Sequence, residues 1–297
     1  MATKKVVITG CSSGIGLATA VLLAKEGGFK VIATMRNLQK CGDIKKAAGE
    51  SLNKSLFIKE LDVSKEDSIV NFTRNILEEE GSIDVLINNA GIAQTGRFES
   101  VSMEQMQNLF KTNFFGAVRM TQELLPGMRK KRSGHIVFIS SILGFQPFPF
   151  CDFYVASKFA IEGLVGSIAP ILRCFNISVT SVEPGPVKTS VLDNLMTNNQ
   201  KGPEFLCSNV FQDSNVLEDS DQKMAHLIRR FHEKMFPALW CNHQPVYEVS
   251  KLIKKCILDE KPPVRLQTTN EMTEMAKKIL VDPKGNNITD ELEAYFK

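Results

Sequence analysis

The sequence lacks a strong charge of either sign. Its 36 lysines and arginines stand against 33 acidic residues, which gives a formal net charge of +3, and the two kinds are interspersed. The only dense basic run, RKKRS at 129–133, is more typical of a solvated helix end than of a nucleic-acid-binding surface. We therefore expect no nucleic-acid partner.

Long apolar runs are also missing. No segment reaches about 18 uninterrupted apolar residues, the length that indicates a membrane-spanning helix, and the opening MATKKVVITG does not resemble a secretion signal. The seven cysteines are odd in number, and none are paired at metal-ligand spacing. These features predict reduced thiols, a cytoplasmic location and no metal site.

Apolar runs and helical patterns alternate along the 297 residues. The runs that we interpret as strands are 5–10, 30–35, 56–63, 83–91, 135–141, 177–185 and 264–268. The clearest helical patterns are 14–26, a stretch ending near 80, 103–130 and 152–175. This alternation predicts an α/β, Rossmann-type doubly wound parallel sheet of about seven strands, in a single domain that spans 1–297.

Residues from about 186 to 240 break this alternation, and we call them the lid segment. They are long, irregular and partly helical, as loops that cover active sites commonly are. Its apolar residues, together with LGFQPFPF at 143–150, are candidates for contacting a bulky hydrophobic ligand, although most could equally be core. The apolar candidates in the lid segment are Leu192, Leu195, Met196, Phe205, Phe211, Leu227, Phe231, Met235, Phe236 and Trp240. His226 and His232 could meet a polar group of the ligand or face solvent, and about 269–297 forms a C-terminal extension.

The first strand ends in TGCSSGIG, residues 9–16. Gly10, Gly14 and Gly16 give the pattern G-x-x-x-G-x-G. Such glycines let the backbone turn sharply and approach a pyrophosphate at a helix N-terminus. The position between the first strand and the first helix favours a dinucleotide-binding loop over a plain turn. The other loop residues of this predicted cofactor site are Ser12, Ser13 and Ile15.

The second strand, in VIATMRN, ends without the acidic residue that commonly holds an NAD ribose hydroxyl. Arg36 stands there instead, and a guanidinium suits a ribose 2′-phosphate, to which Ser12 could add a hydrogen bond. This pattern favours NADP(H) as the cofactor. A plain surface arginine is the alternative.

Asp62 and Val63 follow the third strand. Asp62 could accept a hydrogen bond from the adenine amino group. Its alternative role is to cap the helix that follows, for which Ser64 is an equally good candidate.

NNAG, residues 88–91, closes the fourth strand. Asn89, Ala90 and Gly91 would allow a nucleotide to pass close to the backbone. Asn88 and Asn89 could instead simply stabilise a turn.

YVASK, residues 154–158, puts a tyrosine four residues before a lysine. Positions i and i+4 share a helix face, so Tyr154 and Lys158 are neighbours on the helix predicted over 152–175. Because a nearby cation stabilises a phenolate, we expect Lys158 to lower the pKa of Tyr154 from its usual value near ~10. An amphipathic helix that carries both residues by chance is the alternative.

Two more polar residues could join this pair. Ser141 ends the fifth strand, thirteen residues before Tyr154, and strand carboxyl ends line the ligand crevice of such sheets. Ser140 is the alternative, because alternation along a strand lets only one of the two face the site. Asn113 lies inside the predicted helix 103–130, where asparagine is unfavourable, which indicates a kink or a hydrogen-bonding task.

TGxxxGxG, NNAG, a serine thirteen residues upstream and YxxxK occur in this order on one α/β frame. The sequence thereby resembles the short-chain dehydrogenase/reductase family. The resemblance implies a catalytic set with Tyr154 as general acid or base, supported by Ser141, Asn113 and Lys158. It also implies that Tyr154 and Lys158 touch the cofactor, and that EPGPVKT at 183–189 lies beside the nicotinamide. The implied cofactor-binding residues of this segment are Pro184, Gly185, Val187 and Thr189.

Longer stretches, such as GCSSGIGLATAVLLA, FYVASKFAIEGL and KPPVRLQT, resemble the branch of the family that holds retinol and 17β-hydroxysteroid dehydrogenases. Coverage is nearly end to end and weakest at about 190–240. The resemblance implies interconversion of a hydrophobic alcohol and its carbonyl, with a retinoid favoured, a steroid as the alternative, and a non-catalytic NADP(H)-binding sensor as a remote third. Because the sequence ends at DELEAYFK without the cysteine-bearing tail of a membrane-anchored relative, we expect at most peripheral membrane contact. The sequence is compatible with both a monomer and a homodimer.

Overall fold

A parallel sheet forms the centre of the protein. The computed structural model describes residues 3–189, 222–235 and 243–280. Within these ranges seven strands lie in the order β3-β2-β1-β4-β5-β6-β7, and all neighbours are parallel. The strands are β1 (Lys4–Ile8), β2 (Phe29–Met35), β3 (Leu56–Glu60), β4 (Val85–Asn88), β5 (Gly134–Ile139), β6 (Ile177–Glu183) and β7 (Arg265–Gln267). The predicted doubly wound α/β class and the number of strands are confirmed.

Helices cover the sheet between these strands. They are α1 (Gly14–Glu26), α2 (Gly42–Ala48), α3 (Glu66–Glu80), α4 (Met103–Phe110), α5 (Gly116–Lys131), α6 (Asp152–Arg173), α7 (Gln222–Arg230), α8 (Val246–Leu258) and α9 (Asn270–Leu280). Helix α1 has the bounds that its periodicity predicts, whereas α2, α8 and α9 were not predicted. The basic run 129–133 covers the end of α5.

The alternation of side chains along β1 divides the core into two layers. Val6 and Ile8 point into an apolar cluster with α1 and α8, which includes Leu23 and Ile253. Val7 points to the opposite face, into the cluster that α3, α5 and α6 cover. A parallel strand must be apolar on both faces when helices cover both, which explains why KVVITG reads as a continuous apolar run.

The predicted helix 103–130 is interrupted. Helices α4 and α5 are joined by a π-helical segment, Lys111–Phe115, in which Asn113 is buried. Directly after it, Gly116 packs against the backbone of Val63 so closely that a side chain has no room. The irregularity indicated by Asn113 is therefore present as a π-helical segment in which the asparagine is buried.

Only part of the lid segment lies in the described residues. Helix α7 continues into a second π-helical segment, Phe231–Met235, so the segment is partly helical as predicted. Phe231 is buried and His226 is exposed, which agrees with the solvent-facing alternative for that histidine. The candidates outside the described residues are Leu192, Leu195, Met196, Phe205, Phe211, Phe236 and Trp240.

Helix α6 is the element that bears the Tyr154–Lys158 pair. Among the described helices it is also the one that is long and apolar enough, by length and composition alone, to cross a membrane, which the absence of an uninterrupted apolar run did not indicate. Its apolar face, including Ile161 and Val165, is buried against the sheet. This packing is that of a core helix.

Candidate active site

A cavity of about 490 Å³ opens at the carboxyl ends of the strands. It lies beside β1 and β4, where the strand order reverses direction, and this is where open α/β sheets bind ligands. The volume is that of a ligand pocket. The cavity is lined by residues of the glycine loop, the ends of β2 to β6, the N-terminal turn of α6 and the lid segment.

The glycine loop needs its glycines because other backbone lies against it. Gly10 has a φ of +72°, and a Cβ there would stand 2.7 Å from the Cα of Ala90. A Cβ on Gly16 would stand 2.5 Å from the carbonyl oxygen of Gly10. Gly14, with a φ of +59°, lies against Thr189 of the EPGPVKT segment. The loop is therefore tightly packed at the edge of the cavity directly before α1, and the start of a helix suits an anion such as a pyrophosphate.

Asn89 fastens this loop to the end of β4. Its side-chain amide donates hydrogen bonds to the carbonyl oxygens of Thr9, at 2.8 Å, and Gly10, at 3.0 Å. In return the buried hydroxyl of Thr9 accepts hydrogen bonds from the backbone N–H groups of Asn89 and Ala90. Asn89 thus stabilises the turn, and Asn89, Ala90 and Gly91 also line the cavity, where the close passage of a nucleotide stays a prediction. Thr9 was missed in the sequence because its hydroxyl acts only through this tertiary contact.

The end of the cavity next to β2 is cationic. Arg36 and Lys40 are exposed side chains on its wall, together with Ser12 and Asn37. Asn37 caps the short turn that carries Lys40, accepting a hydrogen bond from the N–H of Gln39. The sequence reasoning identified Arg36 and missed Lys40, which only this turn brings back to the cavity.

Asp62 does not cap the helix that follows it. Its carboxylate accepts hydrogen bonds from the backbone N–H and the hydroxyl of Ser64, at 3.0 and 2.7 Å. Helix α3 begins at Glu66, and its N-cap is Lys65, which makes no side-chain capping bond. The capping alternative for Asp62 and Ser64 is therefore wrong. Asp62 and Val63 both line the cavity.

Tyr154 and Ser141 meet on the wall of the cavity. Their side chains lie close enough to interact, and the hydroxyl of Ser141 accepts a hydrogen bond from the N–H of Leu143. Ser140 is buried with its hydroxyl directed towards Gly144, on the side where Glu162 lies. Of the two serines, Ser141 is the one that contacts Tyr154.

Lys158 is buried one helical turn beyond Tyr154. Its ammonium group donates a hydrogen bond of 2.9 Å to the carbonyl oxygen of Ile139 and lies 5.6 Å from the centre of the Tyr154 ring. Burial lowers the pKa of Lys158 to about 8, and the charge of Glu162 opposes this shift. The helix therefore brings the two side chains together as predicted, but in a desolvated setting.

The expected lowering of the Tyr154 pKa is wrong for the protein alone. Burial raises the pKa of Tyr154 to about 12, and the side-chain interaction with Ser141 offsets only part of this increase. A buried phenolate loses its hydration, and the ammonium of Lys158 is directed to Ile139 instead of the phenol oxygen. Tyr154 is thus a protonated phenol at neutral pH.

Asn113 uses its amide to hold the loop after β4. Its side-chain oxygen accepts a hydrogen bond from the N–H of Ile92, at 2.8 Å. Its NH₂ group donates to the carbonyl of Ile92 and to the hydroxyl of Ser157, at 2.9 and 3.1 Å. The hydrogen-bonding task indicated by the sequence is therefore to join this loop to α6.

The opposite end of the cavity is apolar and aromatic. Phe231 of the lid segment contacts Phe148 and Phe150 edge to face, with ring centres 5.3 and 5.0 Å apart. Leu143 and Cys151 complete this wall, and burial raises the pKa of the Cys151 thiol to about 12. LGFQPFPF thus contributes to the cavity as expected, while Cys151 was not anticipated.

The EPGPVKT segment lines the cavity between its two ends. The lining residues predicted there are Pro184, Gly185, Val187 and Thr189. The backbone of Pro186 accepts a hydrogen bond from the N–H of Gln244, at 2.9 Å, which fixes the segment. The described part of the chain contains no cluster of three or more histidine, cysteine or acidic residues that could hold a metal ion.

These features fit a dinucleotide. The glycine loop leads into the start of a helix, and a cationic end and a protonated tyrosine line the same cavity. The residues able to hold such a cofactor are those of the glycine loop, Arg36, Asp62, NNAG and the EPGPVKT segment.

Comparisons with known proteins agree with this geometry. The family described as short chain dehydrogenase matches residues 4–200. Retinol dehydrogenase 8 of Bos taurus is 38% identical over 291 residues, which cover 96% of this chain and 88% of that protein. The 17-beta-hydroxysteroid dehydrogenase type 1 of Homo sapiens is 34% identical over 291 residues, 97% of this chain and 84% of that protein. A metagenomic short-chain oxidoreductase solved in complex with NADP is 30% identical, with a TM-score of 0.59 over 63% of this chain and 85% of that one.

Proposed function

The chain belongs to the short-chain dehydrogenase family and is a nicotinamide-dependent oxidoreductase, and we propose that it interconverts all-trans-retinol and all-trans-retinal with NADP(H). The observation that supports this proposal most directly is the pair of neighbouring hydroxyls of Tyr154 and Ser141 on the cavity wall. The pair stands between the glycine-loop end of the cavity and its aromatic end, as an oxidoreductase acting on an apolar alcohol requires.

Tyr154 is the general acid in reduction and the general base in oxidation. When bound, the nicotinamide supplies or takes the hydride at the carbonyl or carbinol carbon. The phenol of Tyr154 gives its proton to the substrate oxygen in reduction and takes it back in oxidation. Its protonated state at neutral pH is the state that carbonyl reduction needs.

Ser141 and Lys158 support this proton transfer. The hydroxyl of Ser141 donates a hydrogen bond to the substrate oxygen, which stabilises the charge that develops there. The ammonium of Lys158 stabilises the phenolate that remains after the proton has left, and it holds the nicotinamide ribose. Asn113 orders the proton path between Lys158 and solvent by fixing the loop at Ile92.

NADP(H) is supported by the charge at the end of β2. Arg36 and Lys40 are both cationic and both line the cavity there. A ribose 2′-phosphate brings about two negative charges to this point, whereas an NAD ribose brings none. The absence of an acidic side chain at the end of β2 agrees with this preference.

The aromatic end supports a long apolar substrate. Phe148 and Phe231 line the cavity there with Leu143 and Cys151, and Phe150 packs against Phe231, so this wall is apolar and aromatic. A polyene aldehyde has one polar atom, which this arrangement directs to Tyr154. The 38% identity to a retinol dehydrogenase over 96% of the chain favours a retinoid.

A 17-keto or 17-hydroxy steroid is the second candidate, since the chain is also 34% identical to a 17-beta-hydroxysteroid dehydrogenase. Turnover of all-trans-retinal and estrone should be measured side by side with NADPH at saturating cofactor. We expect kcat/KM for retinal to exceed that for estrone by at least about tenfold, which corresponds to about 1.4 kcal/mol of transition-state binding. A reversed ratio would assign the enzyme to steroids.

The cellular location and the oligomeric state of the enzyme are part of the same proposal. We expect a cytoplasmic protein with at most peripheral membrane contact, either as a single-domain monomer or as a homodimer. Sedimentation of the purified protein with neutral lipid vesicles tests the membrane contact, and sedimentation without them tests the oligomeric state. Complete recovery in the membrane pellet would contradict the peripheral assignment.

A further inference from the structure

Two buried carboxyl groups lie behind Lys158, outside the cavity lining. Glu162 follows Lys158 by one turn of α6, and Glu183 ends β6. Glu162 is 4% exposed and Glu183 is 0% exposed. Buried carboxylates are rare unless they are paired, so the partners of these two decide what they do.

In each carboxyl group, one oxygen accepts a hydrogen bond from an uncharged side chain. The hydroxyl of Ser181 donates to Oε1 of Glu162, and the side-chain amide of Gln267 donates to Oε2 of Glu183, at 2.6 Å. Arg265 lies between the other two oxygens, with its Nε 3.3 Å from Oε2 of Glu162 and 3.7 Å from Oε1 of Glu183. One guanidinium therefore faces two carboxyl groups.

The two oxygens next to Arg265 are buried and have no hydrogen-bond donor among the described residues. The carboxyl groups of Glu162 and Glu183 are also close enough to hydrogen-bond each other. A single proton between them would satisfy both oxygens and would balance the charge of the pair against one arginine. Two carboxylates in one site without that proton would repel each other in a poorly hydrated setting.

The charged groups around the pair are few. On α6 it faces Lys158, on β7 it faces Arg265, and the nearest side chain of the β5 end is the neutral Ser140. The ionisable side chains described on α9 are exposed: Glu271, Glu274, Lys277 and Lys278. Burial, followed by the charge of Glu162, raises the pKa of Glu183 to about 8, which agrees with a proton held by the pair.

We propose that Glu162 and Glu183 share one proton and that the negative charge left on the pair keeps Lys158 in its ammonium form. The pair is then a positioning group that acts through Lys158 and does not itself touch substrate. As the pH rises and the shared proton leaves, the added negative charge next to Lys158 strengthens its hold on its own proton. The pair thereby extends the pH range in which the site keeps its cation.

This inference rests on the proposed function only for its effect on turnover, and its main test uses the cofactor-free protein. Lysines labelled with ¹³C at Cε are followed by NMR against pH, and the Lys158 signal is assigned by its absence in Lys158→Arg. Glu162→Gln keeps the shape of the side chain and a group for Ser181 but removes the carboxylate that acts on Lys158, so the remaining negative charge lies on Glu183. We expect the Lys158 midpoint to fall by about one pH unit or more, a tenfold loss of proton affinity.

Three further variants make the result specific. Glu183→Gln leaves the carboxylate of Glu162 but removes the second negative charge that the pair gains when its proton leaves, so it should lower the Lys158 midpoint by a smaller amount. Ser181→Ala is the control, because it removes a hydrogen bond to Glu162 without changing any charge, and it should leave the midpoint in place. Glu162→Asp, which restores a carboxylate, should recover most of the wild-type value.

Carboxyl carbons labelled in glutamate report the shared proton directly. In the wild type we expect one carboxyl titration far above the ordinary glutamate value near ~4.3, and in either single glutamine variant it should move to lower pH. An unchanged Lys158 midpoint in both glutamine variants, or an equal shift in Ser181→Ala, would overturn the proposal. If Glu162→Gln does not fold, Glu183→Gln decides alone. An unchanged Lys158 midpoint in that variant would contradict the proposal.

The pH profile of kcat with NADPH and retinal is the second readout. Its alkaline limb should move to lower pH in Glu162→Gln by the same amount as the Lys158 midpoint, and it should not move in Ser181→Ala. A protein without retinal turnover but with the expected NMR shifts would disprove the substrate and keep the pair. Normal retinal turnover without the expected NMR shifts would support the substrate and disprove the shared proton.

Discussion

The side-chain hydroxyl of Ser141 lies within interaction distance of that of Tyr154 on the cavity wall, although the two residues come from different elements, the end of β5 and the first turn of α6. This interaction lowers the pKa of Tyr154, but burial raises it more, so the phenol keeps its proton at neutral pH. Both hydroxyls therefore reach the cavity in a form that can donate to a carbonyl oxygen.

Tyr154→Phe removes this donor and leaves the shape of the wall in place. We expect kcat to fall by about 10²–10⁴-fold, the usual contribution of general acid catalysis, while the affinity for NADPH changes little. Tyr247→Phe, on the exposed face of α8, is the matched control and should keep full activity. Steady-state kinetics and NADPH fluorescence titration measure the two effects, and unchanged turnover in Tyr154→Phe would exclude the acid–base role.

Arg36→Asp reverses the charge at the end of β2. A carboxylate there repels a ribose 2′-phosphate and can accept hydrogen bonds from ribose hydroxyls, so the ratio of kcat/KM for NADPH to that for NADH should fall by about 100-fold, or ~2.7 kcal/mol. Lys40→Ala should lower the same ratio by a smaller factor. Lys45→Asp, an exposed charge reversal on α2, is the control. If the ratio is the same in Arg36→Asp and in the wild type, the choice of NADP(H) is wrong.

Gly10→Ala places a Cβ 2.7 Å from the Cα of Ala90 at a φ of +72°. Because neither backbone can move without breaking the bonds of Asn89, we expect a loss of about 1–3 kcal/mol in the free energy of unfolding and at least tenfold weaker NADPH binding. Gly127→Ala is the opposite case, since a Cβ there meets nothing within 4 Å in the middle of α5. It should stabilise the protein by about 1 kcal/mol. Urea unfolding compares the two variants, and equal stabilities would contradict the role given to Gly10.

Phe231→Ala opens the aromatic end of the cavity. The ring contacts of Phe148 and Phe150 are lost, so KM for retinal should rise by about tenfold or more, while KM for NADPH stays the same. Phe57→Ala, at the β3 edge of the sheet, is the control and should leave both constants unchanged. An equal increase in both Michaelis constants would show that Phe231 supports the whole cavity instead of the substrate.

His135 makes stability depend on pH. Its Nε2 lies 3.0 Å from the hydroxyl of Thr180, and burial, with a smaller effect of the Lys4 charge, lowers its pKa from 6.5 to about 4. Between these two values the unfolded chain binds a proton that the folded protein does not, so stability falls as the pH falls. We expect His135 to contribute about 2 kcal/mol to the loss between pH 7 and pH 5. Urea unfolding at both values should show a smaller loss in His135→Gln than in the wild type and in the exposed control His226→Gln.

Much of the fold follows from periodicity, and the differences have local causes. All seven strands were predicted, most clearly the central ones, whose apolar runs are buried on both faces, and α1 was predicted from the helical pattern that follows the glycine loop. The predicted strands 83–91 and 177–185 extend beyond the observed β4 and β6, since their last residues leave the sheet to line the cavity. Helix α2 is short, and α8 and α9 follow the lid segment, where the alternation of strand and helix no longer guides the prediction. The single-domain organisation stays a prediction.

The candidate site was predictable where it depends on residue type at a fixed spacing. The structure brings Gly10, Ser141, Tyr154 and Lys158 to one cavity, as the motifs indicated. Sequence spacing could not reveal Lys40 or Thr9, whose positions depend on tertiary contacts. It also could not show that burial outweighs the charge of Lys158 at Tyr154, because hydration is a property of the folded surroundings.

Helix α6 bears Tyr154, Lys158 and Glu162 on a single face, four residues apart. Because a helix is rigid, the spacing of these three side chains stays the same when the surrounding segments change. The aromatic residues of the cavity wall, Phe148 and Phe231, lie on other elements, so they can be changed without altering the spacing of these three groups. Substrate selectivity and catalytic chemistry therefore depend on different segments of the chain.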